Sequence, residues 1–325
     1  MDKINRRSFL GRAAAAGACA GMANVIPFPV LAHPRPEENK ISLAAWSLIR
    51  SFQAGVWKLT DLHRICREDF ELDGLEYVNN FFESPRAGYL NQLNKNAQEY
   101  GIKNVLIMVD EEGDMVARDR AERMQAAVNH RKWVEIAAFL GCHAIRCNAR
   151  GAGDTPAEDP DAIKRAAESF SALVEYAKEF KINVIIENHG GISSDPEWLP
   201  ALCREINSPH FGILPDFGNY LRGVDAAEAL KKALPYAKGV SVKAAWMPDG
   251  SHVPAWDLEK CLRTAKDCGY QGFWGIESSL QQPRPRNQGQ RPPRQERRDN
   301  PEEARQNDWE AVKLTRDAIR KVIFA

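Results

Sequence analysis

The sequence predicts an α/β fold, a single (β/α)8 TIM barrel, and three observations support this prediction. Eight short apolar runs alternate with longer amphipathic stretches, which is typical of consecutive βαβ units around a parallel sheet. Eight such units within 325 residues fit a barrel of about 250 residues better than a doubly wound sheet. No glycine-rich GxGxxG turn follows the first run, which argues against a dinucleotide-binding sheet.

The predicted strands are apolar runs that end in polar residues or turns. They are expected at residues 41–48, 72–78, 104–109, 143–148, 183–187, 211–217, 239–244 and 273–277. Apolar residues at helical spacing indicate helices at residues 121–140, 162–180 and 256–268. A last helix from residue 302 to about 324 would close the ring against the first unit.

The amino terminus resembles a twin-arginine (Tat) signal peptide. Residues 5–10 read NRRSFL, and a stretch rich in Ala and Gly follows, then Val30-Leu31-Ala32 at a potential cleavage site. We therefore expect export by the Tat machinery to the periplasm or the cell exterior. Cys19 stands as in a lipoprotein signal, but Ala16 replaces the usual larger aliphatic residue, so lipid anchoring is the less favoured alternative.

These boundaries predict a signal peptide at 1–32, a linker at 33–40 and the barrel at 41–325. One segment inside the barrel breaks the pattern, because residues 281–300 read QQPRPRNQGQRPPRQERRDN and contain no large apolar side chain. Such a segment cannot bury a face, so we predict a solvated, disordered insertion after the eighth strand. An electropositive lid over an anionic substrate is the functional alternative.

Charge and composition exclude several classes of protein. The 44 Lys and Arg residues balance 44 Asp and Glu, which argues against nucleic-acid binding. No apolar run reaches the roughly 18 residues that a membrane span requires. The six cysteines after residue 32 form no CxxC pair, so we expect buried free thiols rather than a thiolate zinc site.

Acidic residues follow three of the later predicted strands. Glu187 begins ENHGG after the fifth strand, Asp216 lies in LPDFGN after the sixth, and Glu277 lies in GIES at the end of the eighth. The carboxyl ends of barrel strands share one mouth, so these carboxylates would repel one another unless a cation joins them. A divalent metal is the simplest compensation: Mg or Mn for oxygen ligands, and also Zn or Co if an imidazole takes part.

With these motifs, residues 41–320 resemble the sugar phosphate isomerase/epimerase group of xylose isomerase-like TIM barrels. The resemblance implies one divalent ion held by Glu187, Asp216 and Glu277. It also implies that Glu187 and Glu277 form the acid/base pair that moves a proton next to a carbonyl.

The sequence departs from that family at two positions. Ser241 stands where the family motif HxK has its histidine ligand, and Asn219 stands where many members have a second histidine. We place Asn219 among the substrate-binding candidates. A weaker metal site, a ligand set that uses His189 or water, and a changed reaction all stay open.

Five further side chains are assigned roles. Glu76, on the second strand, matches a family position near the substrate, and Arg146, inside the fourth strand, requires an anionic partner such as the substrate or a carboxylate. His189 is favoured as a substrate contact, with metal ligation as the alternative. Trp46 is placed on the first strand, where it could stack on a sugar ring. Lys243 would stabilise a developing oxyanion or neutralise a carboxylate.

The sequence therefore predicts a metal-dependent isomerase or epimerase that acts on a small carbohydrate or its derivative by proton abstraction next to a carbonyl. One alternative is a lyase that acts on 3-keto-glycosides after the same proton abstraction. Another is a sugar-binding barrel that has lost catalysis.

Overall fold

The computed structural model describes residues 40–151, 153, 155–253, 256–281 and 300–324. The predicted signal peptide, nearly all of the linker, and residues 282–299 of the predicted insertion lie outside this part, so those assignments stay predictions. Within the described residues, no helix is long and apolar enough to cross a membrane.

Eight parallel strands form the central sheet in the order β6-β5-β4-β3-β2-β1-β8-β7. They are β1 Ile41–Ala44, β2 Gly74–Val78, β3 Lys103–Met108, β4 Ala144–Cys147, β5 Asn183–Glu187, β6 Phe211–Leu214, β7 Val240–Trp246 and β8 Trp274–Leu280. The remaining edge is joined by backbone hydrogen bonds from Ser241 N to Pro215 O at 2.9 Å and from Phe217 N to Ser241 O at 3.1 Å. These bonds link β6 to β7, so the predicted barrel is confirmed.

Helices of the described residues cover the outside of the strands. They are α1 Ile49–Gln53, α2 Leu62–Arg64, α3 Ala87–Tyr100, α4 Arg120–Leu140, α5 Ala162–Lys178, α6 Trp198–Ile206, α7 Ala226–Ala233, α8 Leu258–Asp267 and α9 Pro301–Ile323. Local chemistry sets their ends. The Asp119 side chain accepts a hydrogen bond from Glu122 N at the start of α4, and Gly141 ends that helix with φ 72°, a conformation that glycine adopts without strain.

The first strand is shorter than predicted. β1 ends at Ala44, and Ala45–Leu48 form a 3-10 turn. The Ser47 hydroxyl donates to Ile276 O at 2.9 Å and accepts from Ser278 N at 3.0 Å, so a side chain replaces the strand ladder at this point. The placement of Trp46 on a strand was therefore wrong, because Trp46 lies in the turn.

The described cysteines are all unpaired. Five of them are buried, as predicted: Cys66, Cys142, Cys147, Cys203 and Cys261. The expectation of burial was wrong for Cys268, which is exposed because it lies just past the carboxyl end of α8.

A buried polar cluster joins α2 to the barrel wall. The Nε2 atom of His63 lies 3.0 Å from Asn104 Oδ1 and 2.9 Å from the Tyr77 hydroxyl, whereas its Nδ1 atom is buried without a partner. A proton on Nδ1 would place a charge in an apolar environment. Burial accordingly lowers the pKa of His63 from 6.5 to about 4.

This cluster predicts a specific loss of stability in acid. The unfolded chain protonates His63 near pH 6.5 and the folded chain only near pH 4, so the stabilisation is complete above pH 6.5 and is lost as the pH falls toward 4. Between pH 8 and pH 5, His63 should account for a loss of about 2 kcal/mol in the free energy of unfolding. Urea unfolding of the wild type and of His63→Gln at both pH values measures this difference. Equal losses in the two proteins would contradict it.

Candidate active site

Three carboxylates converge at the carboxyl ends of the strands. Glu187 is the last residue of β5, Asp216 follows β6 and Glu277 lies in β8. Each offers an oxygen atom, and these atoms lie within 4.8 Å of one another. Glu187 and Asp216 are fully buried, and Glu277 is half-buried. The structure thus brings together the three residues predicted as metal ligands, and their role as ligands stays a prediction.

Two cationic side chains lie against these carboxylates. Arg146 in β4 pairs through Nε with Glu187 Oε2 at 3.0 Å and through a terminal nitrogen with Asp110 Oδ1 at 2.8 Å. Lys243 in β7 pairs with Glu277 and lies 3.4 Å from Asp216 Oδ2. The anionic partner that Arg146 was expected to need is therefore a pair of carboxylates of the protein itself.

Hydrogen bonds fix the orientation of the acidic side chains. Asp216 accepts from Gly218 N at 2.8 Å and from the Ser241 hydroxyl at 2.7 Å. Asn219 donates to Glu187 Oε1 at 3.0 Å. The Ser241 hydroxyl lies 3.5 Å from Glu277 Oε2, so the residue that replaces the expected histidine sits between two of the carboxylates.

The environments of the carboxylates separate their proton affinities. Burial raises the pKa of Glu187 to about 7 although Arg146 opposes the shift, and burial raises the pKa of Asp216 to about 7 against the effect of Lys243. Burial alone would also raise the pKa of Glu277, but the bond from Lys243 outweighs it and lowers this pKa. Groups with separated proton affinities suit acid and base roles.

A cavity of about 1320 Å³ adjoins the acidic cluster; Glu277 lines it, whereas Glu187, Asp216 and Asn219 are not among its lining residues. Several predicted site residues line it: Trp46, Arg146, His189, Lys243 and Glu277. Trp46 packs edge-on against Phe81, with ring centroids 5.3 Å apart, and presents the rest of its surface to the cavity. The volume suits a small-molecule ligand.

Glu76 does not line this cavity. Its Oε1 accepts a hydrogen bond from the Ser42 hydroxyl at 2.5 Å, while Oε2 is buried without a partner. A side chain at Gly275 would overlap the Glu76 carboxylate, so the glycine in β8 leaves room for it. Burial raises the pKa of Glu76 to about 7. The substrate contact predicted for Glu76 stays a prediction.

The sequence analysis missed a polar cluster on the cavity wall. Asp110 accepts hydrogen bonds from Arg146 and, at 2.7 Å, from Asn148 Nδ2, and Asn148 Oδ1 lies 3.1 Å from His189 Nδ1. A signal was present in the sequence, because Asp110 directly follows the third apolar run. That is the same pattern by which Glu187 was selected.

The site fits a divalent cation. Among the described side chains that pair with one another here, the four carboxylates of Asp110, Glu187, Asp216 and Glu277 face the two cations Arg146 and Lys243, so the fully ionised site carries two uncompensated negative charges. An ionised carboxylate has about four lone-pair sites, and the three converging groups use at most three each. Oxygen atoms therefore remain free to bind a metal.

The sequence profile of a family described as "Xylose isomerase-like TIM barrel" matches residues 68–305 of the chain. No curated protein matches the chain. The fold of the chain is similar to that of a xylose isomerase domain protein from Planctomyces limnophilus, with a TM-score of 0.60 and 16% identity over 88% of this chain and 98% of that one.

Two further solved structures share the fold. For the 3-keto-D-glucoside 4-epimerase from E. coli, the TM-score is 0.59 at 14% identity, covering 82% of this chain and 94% of that one. For a xylose isomerase-like TIM barrel protein from Mycobacterium smegmatis in complex with magnesium, it is 0.55 at 16% identity, covering 86% and 97%. At these identities the likeness establishes the fold alone.

The Arg146 contacts predict a large effect on stability. Arg146→Met would leave the buried carboxylates of Glu187 and Asp110 without their cation, at a cost of about 3–5 kcal/mol in the free energy of unfolding. Adding Glu187→Gln should recover part of this loss, and Arg146→Lys should cost less than Arg146→Met. Urea unfolding of the wild type, the three single variants and the double variant measures the coupling. Strictly additive effects of Arg146→Met and Glu187→Gln would contradict the prediction.

Proposed function

Because the chain belongs to the xylose isomerase-like TIM barrel family, we propose that it is a metal-dependent isomerase or epimerase of a sugar or sugar derivative. The observation that carries the proposal is the convergence of Glu187, Asp216 and Glu277 within 4.8 Å, next to a cavity that Glu277 lines. Buried carboxylates in this arrangement are costly for folding and useful for catalysis.

Glu187, Asp216 and Glu277 would hold one divalent ion, which supplies polarisation of a substrate carbonyl when it is bound. Their fixed orientation supports this assignment, because Asn219 and Ser241 each hold one carboxylate by a hydrogen bond. The magnesium complex of the similar Mycobacterium smegmatis protein is consistent with a hard cation here.

Glu187 and Glu277 would also move the proton. One carboxylate takes a proton from the carbon next to the carbonyl, and the other returns it to the same or the adjacent carbon. Return from the opposite face inverts the carbon, which is epimerisation. The two residues lie on different strands, β5 and β8, so a substrate between them would have one on each side.

Two cations at the site would stabilise the negative charge that develops on the substrate. Lys243 lines the cavity and already pairs with Glu277 and Asp216. Arg146 pairs with Glu187 and lines the same cavity. Trp46 and His189 line the same cavity and would contact the sugar, with Trp46 offering an apolar ring face.

A lyase is the second candidate. In a 3-keto-glycoside, one carbon separates the ketone carbon from the carbon that bears the glycosidic oxygen. When a proton is removed from this middle carbon, the glycosidic oxygen can leave as the aglycone, which is elimination, instead of the proton being returned. Two observations favour keeping this candidate: Ser241 replaces the family imidazole, and the similar E. coli enzyme is a 3-keto-D-glucoside 4-epimerase. Release of the free aglycone from a 3-keto-glycoside identifies the lyase.

We also propose export through the Tat pathway, on the sequence of residues 5–10 and the small residues near Ala32. A protein exported in its folded state can take up its metal before export.

Solvent-proton exchange tests the proposed reaction. Ketoses and 3-keto-glucosides incubated with the protein in D2O should gain deuterium on the carbon next to the carbonyl, measured by NMR. Glu187→Gln should lower the exchange rate about 100-fold or more, because an amide cannot take the proton.

Glu111→Gln is the matched control, since Glu111 is an exposed glutamate at the rim of the same cavity and should exchange at the wild-type rate. Normal exchange in Glu187→Gln would show that Glu187 is not the base. Binding of these sugars without any exchange would favour the non-catalytic sugar-binding barrel.

Metal titration tests the ligand set. The acidic cluster contains oxygen donors alone among the described residues, so we expect about one Mg²⁺ or Mn²⁺ per chain by calorimetry. Ser241→His would add an imidazole between Asp216 and Glu277 and should raise the affinity for Zn²⁺ about tenfold or more relative to Mg²⁺. Ser241→Ala, which adds no ligand, should not. A folded wild-type protein that binds no divalent cation would overturn the metal assignment.

A further inference from the structure

His189 is the cavity-lining histidine next to the acidic cluster, and its two ring nitrogens are in different situations. Its Nδ1 atom lies 3.1 Å from Asn148 Oδ1. Its Nε2 atom has no hydrogen-bond partner in the part of the chain that the structure describes, and the residue lines the cavity. The proton on the ring therefore decides whether the cavity meets a donor or an acceptor at this point.

The orientation of the Asn148 amide is fixed by its two other neighbours. Its Nδ2 atom donates to Asp110 Oδ1 at 2.7 Å, and its Oδ1 atom accepts from Arg146 at 3.1 Å. A flipped amide would set oxygen against the Asp110 carboxylate and NH2 against the guanidinium. Both contacts would be repulsive, because a carboxylate only accepts and a guanidinium only donates.

Asp110 is itself held firmly. Its backbone N–H donates to Asn79 Oδ1 at 3.0 Å, and its carbonyl accepts from Asn79 Nδ2 at 2.8 Å. Its carboxylate also accepts from Arg146 at 2.8 Å. These fixed groups hold the Asn148 amide so that its Oδ1 atom faces His189. Because an amide oxygen only accepts hydrogen bonds, Nδ1 of His189 is the donor in this contact.

We propose that the neutral ring of His189 is held as the Nδ1–H tautomer and so presents Nε2 to the cavity as the hydrogen-bond acceptor for a substrate hydroxyl. Asn148 and Asp110 act as positioning residues for this tautomer. The inference deepens the proposed function and rests on it for the identity of the ligand as a polyhydroxylated sugar. The acceptor selects a substrate with a free hydroxyl at this point and disfavours the deoxy analogue, since the bound sugar would cover the acceptor and leave it unpaired.

Nuclear magnetic resonance of the full chain with 15N-labelled histidine reads the tautomer directly. Long-range 1H–15N spectra distinguish a protonated from an unprotonated ring nitrogen, and the signals missing from His189→Gln identify this residue. The spectra are recorded at the alkaline end of the His189 titration, where the ring is neutral, and we expect a protonated Nδ1 and an unprotonated Nε2. A neutral ring with its proton on Nε2 would overturn the proposal.

The positioning role has its own readout. Asn148→Leu removes the acceptor and should shift His189 toward the Nε2–H tautomer, with the His63 and His143 signals unchanged. An unchanged His189 spectrum in Asn148→Leu would contradict the assignment of Asn148.

A binding arm separates this inference from the proposed function. For a sugar that exchanges deuterium, removal of the contacted hydroxyl should weaken binding to the wild type about tenfold and leave binding to His189→Phe unchanged. If every deoxy analogue binds more weakly than the parent sugar by the same factor in both proteins, His189 is not the acceptor. If no sugar exchanges at all, the proposed function is wrong, and the tautomer spectrum still decides the present proposal.

Discussion

Negative charge buried at the carboxyl ends of parallel strands is the constraint on which the rest of this site depends. Glu187 and Asp216 are fully buried, and each is too costly to keep ionised without a cation nearby. Arg146 and Lys243 supply part of that compensation from β4 and β7. The divalent ion that we propose would offset the remaining negative charge. The imbalance that is costly for folding is thus the feature on which the proposed metal site and proton transfer depend.

The two halves of the site differ in how they are compensated. On one side, Arg146 lies between Glu187 and Asp110, fully buried, and its planar fork can bond to both. On the other side, Lys243 bonds to Glu277 from a more exposed position. Burial keeps the pKa of Glu187 raised in spite of Arg146, whereas Lys243 lowers the pKa of Glu277. Two carboxylates of one cluster thus differ in proton affinity, as the proposed acid and base require.

Ser241 is the most informative departure from the family pattern. Its backbone joins β6 to β7 at the point where the barrel closes, and its hydroxyl lies between Asp216 and Glu277. A short side chain here leaves oxygen donors alone in the acidic cluster of the described residues. Since oxygen donors favour hard cations, a serine at this position is compatible with the Mg²⁺ or Mn²⁺ that we propose.

The sequence by itself determined the barrel and the three acidic residues, because strand periodicity and a carboxylate at a strand end are local patterns. Only the tertiary structure decided what each polar group meets. It assigned Arg146 to two carboxylates of the protein, placed Glu76 away from the cavity, moved Trp46 off the first strand, and joined Asp110 to Asn148 and His189. Such partners come from strands far apart in the chain, and their contacts depend on barrel register and side-chain direction, which no local pattern encodes.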